Sequence, residues 1–120
     1  MTGPYRMRRA YDEPETDDGA RVLVDRLWPR GLSKERAHLD SWEKDAAPSG
    51  ELRRWYHHRA ERRAEFVERY RAELGDETHT RALERIRSMA EDGPVTLLTA
   101  TKEISASELP ILVDALRAQD

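Results

Sequence analysis

Arg26, Arg30 and Lys34 directly follow one apolar run of the chain, and Lys102 follows another. If the two runs are neighbouring parallel strands, these four cationic heads meet at one sheet edge. Ligands of open α/β sheets bind beyond the carboxyl ends of strands. There the heads could hold a phosphate or a carboxylate, guanidinium as a planar fork and ammonium as a point charge. Trp28 lies between them and could stack on a base or a sugar. Ser33 is placed to open a short helix whose first N–H groups would add donors. A purely structural reading pairs Arg26 and Arg30 with Asp25, Asp40 or Asp45 and simply holds the loop.

A second block holds Trp42, Lys44, Asp45, Pro48, Ser49 and Arg53. Lys44 could be a further anion contact or a solvated side chain. Ser49 reads as a helix cap, because no activating base stands at a fixed spacing and Gly-x-Ser-x-Gly is absent. Trp42 and Trp55 read as core residues. The histidines are His38, His57, His58 and His79, with no i, i+4 pair and no His-Glu-x-x-His. The chain has no cysteine. No metal and no cofactor are therefore expected. Neither the dinucleotide glycine pattern nor the P-loop pattern occurs.

The elements that must position these groups are readable from periodicity. Residues 5–10 (YRMRRA) read as a short strand, and residues 12–19 (DEPETDDG) as an acidic loop. Residues 20–25 (ARVLVD) hold a continuous apolar core, as a strand covered on both faces requires. Pro29 and Gly31 break it. A short helix is expected from Ser33 to about His38, and residues 39–45 are open between strand and loop. Ser49 should cap a helix carrying Leu52, Trp55 and Tyr56. Residues 60–74 place Phe66, Tyr70 and Leu74 at i, i+4, i+8 before Gly75. Residues 79–91 form another amphipathic helix, stopped by Asp92, Gly93 and Pro94. Residues 95–100 (VTLLTA) are a second good strand. Ser107 should cap a last helix with Leu109, Leu112, Val113 and Leu116 on its buried stripe.

Strands separated by helices cannot be hairpins, so the expectation is an α/β fold: a small, mostly parallel sheet with helices packed on it, one domain over residues 1–120. The 120 residues carry 21 Lys+Arg against 24 Asp+Glu, a formal charge of −3, and 18 of the basic residues are arginine. That acidity argues against non-specific nucleic-acid binding, which needs a net basic face. No apolar run reaches membrane-spanning length, so no membrane partner is expected and the location is expected to be cytoplasmic. The oligomeric state is not legible.

Residues 17–31 (DDGARVLVDRLWPRG), then LSKE, then DSWEKDAAPSGELRRWY, resemble the YeaO-like branch of the domain-of-unknown-function 488 family. ERYRAEL and GPVTLLTATK continue the resemblance, which runs from about Arg8 to Leu116. It implies a small cytosolic α/β protein and no particular activity. Two stretches depart from the family pattern. The Phe-Gly-His-Asp-Pro-like turn after the tryptophan helix is here Tyr56, His57, His58, Arg59, Ala60. The Tyr-Ala-Ala-Lys-Asp stretch, with its following His-Asn pair, keeps Lys102 and Glu103 but then reads ISASE. If that pair serves chemistry in relatives, this chain has lost it.

The preferred reading is a binder of a small anionic molecule, a nucleotide or other phosphorylated metabolite, through Arg26, Trp28, Arg30, Lys34, Lys44 and Lys102. One rival is an enzyme acting on such a ligand, with Lys102 or Asp25 as acid or base. The other is a non-catalytic interaction protein with exposed tryptophans.

Overall fold

The computed structural model describes residues 4–118. Strands β1 (Tyr5–Arg9), β2 (Ala20–Leu23), β3 (Ser41–Trp42) and β4 (Val95–Thr99) form one sheet in the order β1-β4-β2-β3. Every pairing is parallel, so the fold is α/β as expected. β4 is paired on both edges and buried throughout, which is why its sequence is apolar without alternation. Gly19 sets the start of β2. Its φ of +61° and its approach to Pro94 exclude a side chain, because a Cβ there would lie 2.1 Å from the Pro94 carbonyl oxygen.

Five helices surround the sheet: α1 (Lys34–Ala37), α2 (Gly50–Tyr56), α3 (Arg63–Leu74), α4 (Glu77–Glu91) and α5 (Leu109–Arg117). Ser33 and Ser49 cap α1 and α2, accepting from the N–H groups of Arg36 and Leu52 at 3.1 Å each. α4 begins two residues earlier than its apolar spacing suggests. Asp76 accepts the His79 N–H at 2.8 Å and is the cap. α3 begins later, after a 3-10 turn at Ala60–Arg62, because no side chain caps it. α5 starts at Leu109 with Glu108 as its cap residue, not Ser107. Pro110 has no N–H to offer, so the Ser107 hydroxyl accepts from Leu109 at 3.1 Å instead. The open stretch at 39–45 resolves into the two-residue β3 and a 3-10 turn at Lys44–Ala46.

The two faces of the sheet carry different loads. Val22, Val24, Val95 and Leu97 join the main core, with Phe66, Tyr70, Ile86 and Leu112 from the helices. Leu23 and Leu98 face the other way, toward Leu32, Ala37 and Trp28. Period-two alternation thus survives inside apolar runs, because both faces are dry. Trp42 is a correction to the core reading: it is 37% exposed. β3 is an edge strand, and the indole Nε1 donates to the Asp25 carbonyl at 2.7 Å. Trp55 is half-buried, its ring lying under the guanidinium groups of Arg62 and Arg69. No helix of the described residues is long and apolar enough to cross a membrane.

Candidate functional site

The carboxyl ends of the two central strands are locked together. Pairing continues one residue past β2, where the Val24 N–H donates to the Leu98 carbonyl at 3.0 Å. The chain then turns at Asp25. Asp25 Oδ1 accepts the Thr99 hydroxyl at 2.8 Å, and Oδ2 accepts the Ala100 N–H at 2.7 Å. One carboxylate therefore ties the loop after β2 to the loop after β4. Beyond it the chain leaves β2 toward β3 and leaves β4 toward α5, which packs on β1 and β4. Diverging connections of this kind open a crevice.

A cavity of about 300 Å³ occupies that crevice. Residues 25–30 form one wall, and Ala100 and Thr101 another. α2 contributes Arg53 and Tyr56, and the turn after it contributes His57 and His58. Ala47, Pro48, Phe66 and residues 106–108 complete the lining. The volume lies at the small end of ligand pockets, the size of one sugar phosphate or mononucleotide rather than a dinucleotide.

Three of the six sequence-predicted residues line this cavity, and three do not. Arg26 is half-buried and donates to the carbonyls of Pro48 and Ala47 at 3.0 and 2.9 Å. Its structural role is to hold the turn before α2 through carbonyls, not through Asp25, Asp40 or Asp45. Trp28 packs edge-on to Trp42 at 5.4 Å, and its Nε1 donates to the Leu32 carbonyl at 2.6 Å. Arg30 is exposed, and its guanidinium has no carboxylate partner among the described residues. Lys34, Lys44 and Lys102 are exposed and outside the lining. Lys44 lies over the Trp42 ring, its Nζ 4.9 Å from the centroid.

The fold adds groups that strand-edge reasoning did not reach. Arg53, His57 and His58 come from α2 and its end, far from either strand in sequence. His57 and His58 stand consecutively in left-handed backbone, at φ +43° and +55°. That conformation costs a non-glycine residue roughly 1–2 kcal/mol and concentrates at functional sites. The departure of this turn from the family's Phe-Gly-His pattern was the available signal. Glu108 had none. It is 7% exposed, lines the cavity, and its Oε2 is buried with no hydrogen-bond donor among the described residues. Its carboxyl group lies within hydrogen-bonding reach of Asp25. Burial, then the Asp25 charge, push Glu108 well above the usual carboxyl range, with Arg63 opposing. The lining thus combines two exposed arginines, Arg30 and Arg53, with the half-buried Asp25 and the buried Glu108.

The candidate nucleophile is occupied. The Ser49 hydroxyl donates to Glu73 Oε2 at 2.6 Å while capping α2. His79 is buried away from the cavity, its ring nitrogens facing the Ala47 carbonyl and Asp76 at 2.8 and 2.9 Å.

A family model described as the inactive DUF488-N3 subclade matches residues 4–119. The uncharacterized protein Rv3073c of Mycobacterium tuberculosis strain H37Rv is 43% identical over 114 residues, covering 95% of this chain and 94% of the relative. The uncharacterized protein YeaO of Escherichia coli K12 is 41% identical over 111 residues, covering 92% and 95%. No solved structure gives a significant match.

Proposed function

The chain belongs to the YeaO-like DUF488 family, in a subclade described as inactive, and from that premise we propose that it binds a small anionic molecule without converting it. A nucleotide or another phosphorylated metabolite is the leading class. One observation carries the reading: a mononucleotide-sized cavity sits at the carboxyl ends of β2 and β4, and two exposed arginines in its lining, Arg30 and Arg53, have no carboxylate partner among the described residues. Anions are held by such forks, and Trp28 and Tyr56 supply apolar wall area.

Several features favour binding over turnover. Lys102, the acid–base candidate, is exposed and outside the cavity. Asp25 is engaged by two internal donors. Ser49 is a cap. The interaction-surface reading loses its centre as well, because Trp28 is half-buried in the second core cluster.

The test is a thermal-shift titration with AMP and inorganic phosphate. At a hundredfold excess over Kd a ligand adds about 2.7 kcal/mol to stability, a rise of several degrees in Tm. Arg30→Ala should leave the ligand-free stability within about 0.5 kcal/mol of wild type, as exposed substitutions do. It should also remove most of the ligand-induced rise. An unchanged rise in that variant would rule Arg30 out as an anion contact.

A further inference from the structure

We propose that this cavity takes its phosphate with a nucleobase attached, and that Leu27 and Trp28 form the wall on which the base lies. Nucleoside monophosphates are then preferred to sugar phosphates. The inference rests on the anion reading of the same cavity and names the class of ligand. Two observations carry it. Leu27 lines the cavity and is 59% exposed, the most exposed large apolar side chain among the described residues. The exposed Arg30 follows in the same loop and also lines the cavity, so an apolar and a cationic surface open onto one hollow.

An apolar side chain left in water beside a cavity gains by being covered, and a ligand that covers it binds more tightly in proportion to the apolar area removed from water. Free phosphate covers none of it. The hydroxyl groups of a sugar would exchange water for an apolar wall, which costs free energy. A planar base suits. Trp28, next to Leu27 in the lining, is held on two sides. Its Nε1 donates to the Leu32 carbonyl at 2.6 Å, and its ring meets Trp42 edge-on at 5.4 Å. Its one polar atom is thus already used, and what it adds to the cavity is a fixed carbon surface. A rigid ring lies against a fixed wall without freezing torsions, as a flexible acyl chain would have to do. His57 and His58, exposed in the lining, can each donate to or accept from the nitrogen edge of a base. The volume of about 300 Å³ admits one such unit, with its phosphate on Arg30 and Arg53.

The experiment is calorimetric titration of the full chain with AMP, ribose 5-phosphate and hexyl phosphate. Wild type should bind AMP at least about tenfold more tightly than ribose 5-phosphate, and more tightly than hexyl phosphate. Leu27→Ser changes an exposed side chain and should leave the fold intact. It should bring AMP down to the ribose 5-phosphate affinity and leave ribose 5-phosphate itself within about twofold. Arg30→Ala should weaken every probe, as the anion reading requires. Equal affinity for AMP and ribose 5-phosphate in wild type overturns this inference and leaves the anion reading standing. So does a preference for AMP that survives in Leu27→Ser, or one lost there together with ribose 5-phosphate binding. Hexyl phosphate binding more tightly than AMP would assign the wall to an acyl chain and overturn it too. Sedimentation of the same samples tests the remaining occupant. A dimer that Leu27→Ser turns into a monomer would give the leucine to a second copy of the chain, against the inference. Binding of no probe overturns both readings.

Discussion

Asp18→Ala is expected to lower the free energy of unfolding by about 3–5 kcal/mol, the cost of removing one partner from a buried charge cluster. Asp18 is 1% exposed and stands at the centre of three arginines. Arg21 Nη1 lies 2.7 Å from its Oδ2, Arg8 Nη1 2.9 Å from the same oxygen, and Arg6 Nη1 3.4 Å from Oδ1. The Glu15 N–H donates to Oδ2 at 3.0 Å. Arg21 is itself 3% exposed. Without Asp18 it would keep only carbonyl acceptors, Ala37 at 3.1 Å and Asp12 at 3.3 Å. Burial alone would raise the Asp18 carboxyl. The Glu15 N–H, Arg21 and Arg8 outweigh it and hold the group below its ordinary 3.8. The sign follows from linkage. With the folded value depressed, the contribution is complete above the unfolded value and is lost as pH falls through the folded one. Urea unfolding of wild type and variant should therefore show a gap at neutral pH that closes in acid. A gap under about 1 kcal/mol at neutral pH would show that the cluster is not integral to the fold.

Glu108→Leu is expected to move stability in the opposite direction. In the free protein, Glu108 is a buried group with an unanswered acceptor, and an apolar side chain of similar size removes that cost, about 1–3 kcal/mol. Its linkage is the reverse of Asp18's. Burial and the neighbouring Asp25 raise the folded value well above the unfolded 4.5, so the native state binds more protons between the two. Stability of the wild type then falls with pH above the unfolded value, by at most about 1.4 kcal/mol per pH unit. The charged groups that act on it are Asp25 from the loop after β2, which raises the value, and Arg63 from α3, which opposes the rise. The variant lacks the slope, so its advantage should be larger at neutral pH than in acid. Chemical unfolding at both pH values checks it. A variant less stable than wild type at the higher pH would mean that Glu108 is satisfied in the folded chain.

Together these two carboxyl groups mark how far the sequence could be read. The run Val22, Leu23, Val24 announced a doubly covered strand because burial on both faces leaves no room for alternation. Ser49, Gly75 and Pro110 marked helix ends through local backbone chemistry. The alternation of Arg6, Arg8 and Arg9 with the acidic stretch 12–18 was visible as charge. Only the parallel register of β1 with β4, and of β4 with β2, reveals it as one cluster, because Arg6, Thr96 and Arg21 fall side by side. The meeting of the Pro29 turn with Thr101 was foreseeable, since both follow central strands. Which side chains would face the hollow was not. Thr101 lines it while Lys102, one residue on, does not. Lys34 and Lys44 belong to the outer surface of the same loops. Arg53, His57 and His58 arrive on a helix whose packing depends on contacts with α3, and local periodicity carries no information about that. Glu108 looked like any surface glutamate. Its burial follows from the turn that Pro110 and Ser107 impose ahead of α5.

The claim on which the functional account depends is that one cavity, between the ends of β2 and β4, receives the anion. Backbone amide chemical-shift mapping by NMR during titration with AMP tests it most directly. Concentration-dependent shifts should concentrate at residues 25–31, 100–102 and 106–109 and in the turn around His57. Shifts confined to the smaller hollow formed by Tyr11, Leu32 and His38, or no shifts at millimolar AMP, would contradict it.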